Sequence, residues 1–408
     1  LDSIISSLPH EWQSPTLGEV SEPVEERVGE RKLTPVSISA GIGFVPQAEK
    51  FGRDISGSQY KLYTVVRDGE FVYNKGNSLK FPQGCVYDLQ GWGEVAAPNV
   101  FICFRLKNGY ENGFYRQCFE RNTHGIQLRK HITSGARSNG LLNISKEAFY
   151  SVAIPVPSHA EQQKIADCLS SLDDLIAAET QKLDTLKTHK KGLMQQLFPR
   201  EGETVPRLRF PEFREEVEWS RTTVGHIADF SSGGTPSKER SAFWSGSIPW
   251  ASAKDMKHFF LEDTEDHITQ AAVDDGAKVV PAGTVLMLTR GMTLLKDVPI
   301  CVLNRRMSFN QDVKALQPKS NFDGHFLAYL LLACKERLLG LVDIAGHGTG
   351  RLDTEKLKAF DVVLPQPTEQ RRIADFLSSF DNLISAHSQK INILKSHKMG
   401  LESLTKPP

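Results

Sequence analysis

The chain is 408 residues long, 39% hydrophobic and 24% charged, more than one ordinary domain requires and enough for two apolar cores. Its 49 Lys and Arg balance 49 Asp and Glu, so a uniformly basic nucleic-acid coat is excluded and any nucleic-acid surface must be a local patch. The six cysteines form no C-x-x-C pair, the amino end lacks a basic stretch followed by an apolar run, and the longest apolar run, Phe326 to Cys334, is about half a membrane span; a reduced, cytoplasmic protein is expected.

In chain order, the first globular region (1–157) carries strand signals at LYTVVRDGEFVY (62–73) and NVFICFRL (99–106), and one helix is predicted from Phe114 to Arg121. A long helix follows (158–199). Its apolar residues Ile165, Leu169, Leu172, Ile176, Leu183 and Leu186 fall at spacings of four and three, the narrow seam of a helix that packs on another helix. The linker (200–218) has Pro206 and Pro211, which block helix. In the second globular region (219–366), strands are expected at SIPWAS (247–252), AKVVPAGTVLMLTR (277–290) and VPICVLN (298–304), and a helix from His325 to about Leu339. A second long helix (367–408) closes the chain, with the seam Ile373, Leu377, Phe380, Ile384, Ile391 and Leu394.

The two long helices are copies. Residues 161–193 and 369–401 align without a gap at an offset of 208 and share about 20 of 33 residues. Polar residues interrupt the seams at matching places, Glu179 with His387 at one layer and Lys190 with Lys398 at another, as devices that fix register. The repeat extends outward. Glu11-Trp12 and TLGEV recur as Glu218-Trp219 and TVGHI, and NGLLNISKEAFYSVAIPVP (139–157) answers TGRLDTEKLKAFDVVLPQP (349–367), while the stretches between have little in common. If the linker stays short in space, the second helix starts near the end of the first, and the fold expected is α+β: two globular domains joined by two long helices that pair as an antiparallel coiled coil, with an internal pseudo-two-fold repeat. A linker of about 20 residues, fully extended, could reach about 65 Å, which disfavours a parallel pair without excluding it. At 1.5 Å per residue each helix is about 50 Å long, a ruler between whatever sits at its ends.

Motifs for chemistry are absent. The sequence has no G-x-x-x-x-G-K-S/T phosphate loop, no Asn/Asp-Pro-Pro-Tyr/Phe stretch of an amino-methyltransferase and no H-E-x-x-H; Gly41-Ile42-Gly43-Phe44 is a weak glycine pair that reads as a turn. His189 and His397 sit beside lysines on the helices and read as surface or partner-contact residues. No catalytic, metal-binding or cofactor-binding residue is predicted.

The arrangement resembles the specificity subunit of a type I DNA restriction-modification system, over nearly the whole chain. The resemblance is carried by IPVPSHAEQQKIADCLSSLDDLI and LPQPTEQRRIADFLSSFDNLI, by the KKGLMQQLFPR exit of the first helix, and by IADFSSGGTPSKERSAFWSGSIPWASAKDM. It departs at the end, where GLESLTKPP stands against GLMQQLFPR and puts the usual carboxyl-terminal contacts in question. The resemblance implies two target recognition domains, each reading one part of a split site in double-stranded DNA. It also implies partners: two methyltransferase subunits and restriction translocase-nuclease subunits. The chain itself is then a non-catalytic subunit without cofactors.

Loops that combine glycine with polar and basic residues suit phosphate contact and base-edge reading. In the first domain these give Lys75, Asn77, Ser78, Arg116, Arg121, Ser134, Arg137 and Asn139. In the second they give Thr235, Ser237, Lys238, Lys254, Arg290, Gln311, His347, Thr349 and Arg351. Each taken singly is more often a polar surface turn than a base reader. The glycine-rich segments 134–139 and 346–351 rank highest because they occupy equivalent places in both halves, and Trp244 and Trp250 read as core or loop-anchoring aromatics. A purely structural scaffold and a self-contained nuclease are the competing readings.

Overall fold

The computed structural model describes residues 12–76, 81–132, 142–320, 322–344 and 348–404. The chain packs as two compact units, residues 1–178 with 391–408, and residues 179–390.

In the first unit Thr16 opens the fold by a capping box with Glu19, its amide 2.7 Å from the Glu19 carboxylate, which starts the short helix Leu17–Val20. The chain then enters an antiparallel sheet in the spatial order Ser21–Pro23, Ile102–Leu106, Phe71–Asn74, Cys85–Asp88. Successive side chains of a strand point to opposite faces. Phe71, Tyr73 and Phe104 therefore pack on Phe114 and Phe119 of the helix Asn112–Glu120 and on Phe149, while Val72 and Cys103 face Val36, Ile38 and Val66. A sheet covered on both sides explains why its strands carry the continuous apolar runs Phe71-Val72-Tyr73 and Ile102-Cys103-Phe104. The two strands of LYTVVRDGEFVY, Thr64–Arg67 and Phe71–Asn74, belong to different sheets, the former pairing with Glu94–Ala97.

The second unit is built around Ala228–Ser232, Val313–Pro318, Val285–Leu288 and Ile300–Leu303, in that order, with Phe260–Leu261 added in parallel at the edge. The order of the first four strands is that of the first unit, although the sequences are unlike. The helix predicted from His325 to Leu339 is two, Gly324–Ala333 and Lys335–Leu339, broken at Cys334, where φ is −89° and ψ 11°. Ser220–Thr223 pairs with Asp361–Leu364, and in the first unit Gln13 bridges Val156 and Thr16 bridges Ala153 at the equivalent positions. The anchors that repeat in the sequence therefore meet in space, closing each globular region at the foot of its helix.

The long helices run from His159 to Leu197 and from Pro367 to Leu404. In the first unit Lys398 Nζ lies 2.6 and 2.7 Å from the Asp173 carboxylate oxygens. In the second, His387 Nδ1 lies 2.6 Å from Glu179 Oε2, Lys390 Nζ 2.6 Å from Glu179 Oε1, and Lys190 Nζ 2.6 Å from Asp381 Oδ2. Glu179 meets residue 387 and Lys190 meets residue 381, so partner numbers fall as residue numbers rise: the strands of the coil are antiparallel. The seam residues named from the sequence are all buried or half-buried.

Two expectations are corrected. Ile373 and Leu377, with Ala374, enter the core of the second globular region, and Ile165 and Ala166 pack on that of the first, because the stripe widens where a helix leaves its domain. Lys190 and Lys398 do not share a layer. Each crosses to the aspartate that is the other's repeat counterpart partner, Asp381 and Asp173, and only Glu179 and His387 face each other. Among the described residues no helix is long and apolar enough to cross a membrane, and no group of His, Cys, Asp and Glu could hold a metal ion. All six cysteines are free, and burial pushes Cys103, Cys118 and Cys301 up to about 12.

The two Lys–Asp pairs differ in burial, which sets their weight. Asp381 is 13% exposed and also accepts a 2.6 Å bond from the Tyr329 hydroxyl, whereas Asp173 is 43% exposed. Lys190→Ala strands a buried carboxylate and should cost about 3 kcal/mol, and Lys398→Ala about 1 kcal/mol or less; denaturant melts of the two variants give the ordering. Glu179 is held below the usual carboxylate range by its bonds to Lys390 and then His387. A depressed folded pKa gives stability that is present above the unfolded value and is lost as pH falls through the folded one. Glu179→Gln should therefore flatten the acid side of a melting-temperature profile below its ordinary value of 4.5, leaving the neutral side unchanged in slope.

Candidate nucleic-acid interface

In the second unit several predicted residues converge although they are far apart in sequence. Three short strands form a ribbon in which Gly350–Leu352 lies between Arg290–Gly291 and Val342–Ile344. Its register places Arg290 directly opposite Arg351, and Arg351 opposite Asp343. Like charges facing each other across a sheet are unfavourable unless an anion lies between or near them. Asp343 does little to relieve them, being bound by Lys356 at 2.8 and 3.0 Å, and Asp353 approaches Arg351 only to 3.8 Å. Arg290 is exposed and forms no ion pair among the described residues. Thr349 is half-buried beside them.

A second loop joins this ribbon. Thr235 Oγ1 donates to Gln311 Oε1 at 2.6 Å, and the carbonyl of the next residue, Asp312, accepts from the amides of Thr289 and Arg290 at 2.8 and 3.2 Å. Trp250 Nε1 donates to the Gly234 carbonyl and Trp244 Nε1 to that of Ser237, at 2.9 and 3.1 Å, and the two indoles meet edge to face. These tryptophans anchor the loop; Lys238 stands exposed at its end. Thr235, Gln311, Arg290, Arg351 and Thr349 thus occupy one connected surface.

Other predicted residues lie elsewhere. Lys254 sits between Asp266 at 2.8 Å and Glu265 at 3.0 Å, which raise its pKa and cancel its charge. In the first unit Arg116 is paired with Asp88 at 3.0 Å. It lines an open cleft of about 450 Å³ with Glu120, Asp173 and Asp174, an acidic setting that repels phosphate. Desolvation in the cleft, reinforced by Asp173 and Asp88, holds Glu120 above the usual carboxylate range despite the opposing pull of Lys398 and Arg116. Lys75 Nζ donates to the Ile144 carbonyl at 3.2 Å, and Arg121 ends the helix Asn112–Glu120, its amide bonded to the carbonyls of that last turn. Asn77, Ser78, Ser134, Arg137, Asn139 and His347 lie outside the described residues.

Two features escape the sequence reading. Asp312 acts through its carbonyl, which no residue pattern announces. On the long helices, Asp167, Ser171, Leu175 and Ala178 make an exposed stripe that recurs identically as Asp375, Ser379, Leu383 and Ala386. Leu175 and Leu383 are 39% and 48% exposed, so the helix pairing does not account for them. Their identity in both copies was the available signal.

The specificity subunit of type I restriction enzyme EcoR124I/EcoR124II from Escherichia coli is 31% identical over 251 residues, 60% of this chain and 58% of that protein, so the match spans little more than half of its relative. Among solved structures, the type I restriction-modification system S subunit from M. genitalium superposes with a TM-score of 0.62 at 14% identity, over 97% of this chain and 96% of that one. A chain of the type I R-M system, solved for its complex assembly and conformational transition, gives 0.56 at 17% identity over 98% of both. These likenesses show the fold. The family model of the type I restriction modification DNA specificity domain matches residues 68–188 and 216–396, and with most of its length so covered, the chain belongs to that family.

Proposed function

We propose that the chain is the sequence-reading subunit of a type I restriction-modification complex, that it scaffolds two methyltransferase subunits and the restriction subunits, and that it carries no catalysis of its own. One observation carries this reading: both globular regions use the same four-strand order and the same closing anchors yet present unrelated loops, the design of two readers with different targets on a common mount. In the second region the surface of Thr235, Lys238, Gln311, Arg290, Thr349 and Arg351 supplies phosphate contacts that position the duplex and donors that read base edges. In the first, Lys75, Arg121 and the loops around Asn77 and Arg137 have the corresponding role. The identical exposed stripes on the two helices suit two copies of one partner, one on each. The partners, which alone need catalytic groups, extrude an adenine in each half site and methylate it. With zero net charge, the chain alone holds DNA weakly at moderate salt.

The test is to produce the chain with its partner methyltransferase in a methylation-free host and map modified adenines by long-read sequencing. A split motif with a fixed gap and a methylated adenine in each part is expected. A continuous short site would leave one region without a reading role, and no modification by a verified active partner would favour a structural scaffold. Inserting one heptad in both helices lengthens each by about 10 Å and should change the gap while leaving the two half-site sequences unchanged.

Arg290→Ala should lower the slope of log affinity against log salt of the assembled complex by about one, with sequence preference retained. Lys254→Ala, already neutralised by two carboxylates, should leave that slope where it is. Titrations at several salt concentrations measure both.

A further inference from the structure

Beside the arginine row the second unit exposes apolar side chains that packing does not explain, Ile344 at 74% in the outer strand of the ribbon and Met292 on the adjoining turn. The segment Met292–Leu295 connects to the ribbon through Gly291, whose φ of 146° admits glycine almost alone. Leu294 is buried beneath the turn and fits so closely that a Cβ on Gly350 would lie 2.7 Å from its own Cβ. The amides of Lys296 and Asp297 both bond the Thr293 carbonyl, at 3.0 and 2.9 Å. The turn is thus fastened on both sides, and still Met292 is 62% exposed. A single exposed apolar side chain is ordinary on a loose loop. On a turn this firmly held, next to Arg290 and its facing partner Arg351, it is a fixed apolar contact at the border of a phosphate-binding row.

We infer that Met292 reads a thymine, its thioether packing on the C5 methyl group in the major groove while Arg290 and Arg351 hold the adjoining backbone. The inference rests on the DNA-reading role proposed above. A two-stranded β-ribbon such as the pair Arg290–Gly291 and Gly350–Leu352 fits the width of the major groove, and the thymine methyl is the one apolar feature that a base pair displays there. Methionine, unbranched and polarizable, adapts to such a contact without a polar group to satisfy. Leu295, 41% exposed on the same turn, serves as the comparison.

The experiment uses duplexes of the mapped site in which each thymine in turn is replaced by uracil, which lacks only the methyl group. Binding affinity of the assembled complex for these duplexes is compared for the wild-type chain, Met292→Ala and Leu295→Ala, after melting curves have shown that the variants are folded. At one thymine the wild type should lose about fourfold in affinity, the worth of one buried methyl, and Met292→Ala should show no loss on the same replacement while Leu295→Ala keeps it. A mapped split site at which no thymine responds overturns the inference, as does a response that survives in Met292→Ala or vanishes in Leu295→Ala. A wild-type complex that modifies no split site overturns the underlying reading instead, so the two failures are distinguishable.

Discussion

The contact between Glu179 and His387 is the constraint on which the helical frame depends. The two residues are repeat counterparts, 208 positions apart, and they meet within the second unit. Each unit holds one of a pair of counterpart ion pairs, Asp173 with Lys398 in the first and Lys190 with Asp381 in the second. A slide of one helix along the other separates all of them at once and leaves carboxylates facing apolar residues. Such layers add little net stability over well-packed apolar ones, and their effect is on the choice of register. Pairing the first copy with the second also sets Glu179 against His387, whereas pairing two first copies would set carboxylate against carboxylate.

From that frame outward the two halves follow one plan with different materials. Each globular region is shut by an antiparallel pairing between its opening and closing segments, and each carries the same four strands in the same order. In the second unit Lys190 is wrapped by the rings of Phe259 and Tyr329, with its ammonium 5.1 and 4.9 Å from their centroids. In the first the equivalent Lys398 pair borders the acidic cleft. The constant positions hold the helix to its domain, and the variable ones are free to differ.

The sequence was most informative where a periodic pattern or a duplication reports directly on packing. The seam spacings marked the helices, and the linker marked their antiparallel sense, since a connection that stays short in space starts the second helix near the end of the first. Strands were legible at Phe71 and Ile102 because their residues are apolar and β-branched or aromatic. Their assignment to separate sheets was not, because the pairing of Thr64–Arg67 with Glu94–Ala97 is decided by tertiary packing. The break at Cys334 has no proline or glycine to mark it. At the candidate interface, residue type identified Arg290, Arg351, Thr235 and Gln311. Their convergence depends on the register of a three-stranded ribbon and on the Asp312 carbonyl, neither of which has a local signature. Residue type also ranked Lys254 and Arg116 equally with Arg290, since only the structure shows which cations have carboxylate partners.

That last distinction bears on how, in the proposed role, a chain of zero net charge would read DNA. Every unpaired cation at the interface strengthens binding to any sequence, because counterion release is indifferent to the bases. Pairing Lys254 with Asp266 and Glu265, and Arg116 with Asp88, removes that indiscriminate attraction where it is not needed. Arg290 and Arg351 remain in a row whose mutual repulsion an anion relieves. On the function proposed above, the attraction is confined to the place where Thr235, Gln311 and the neighbouring turn would inspect base edges, so that grip on the backbone and reading of the sequence would require the same docking pose.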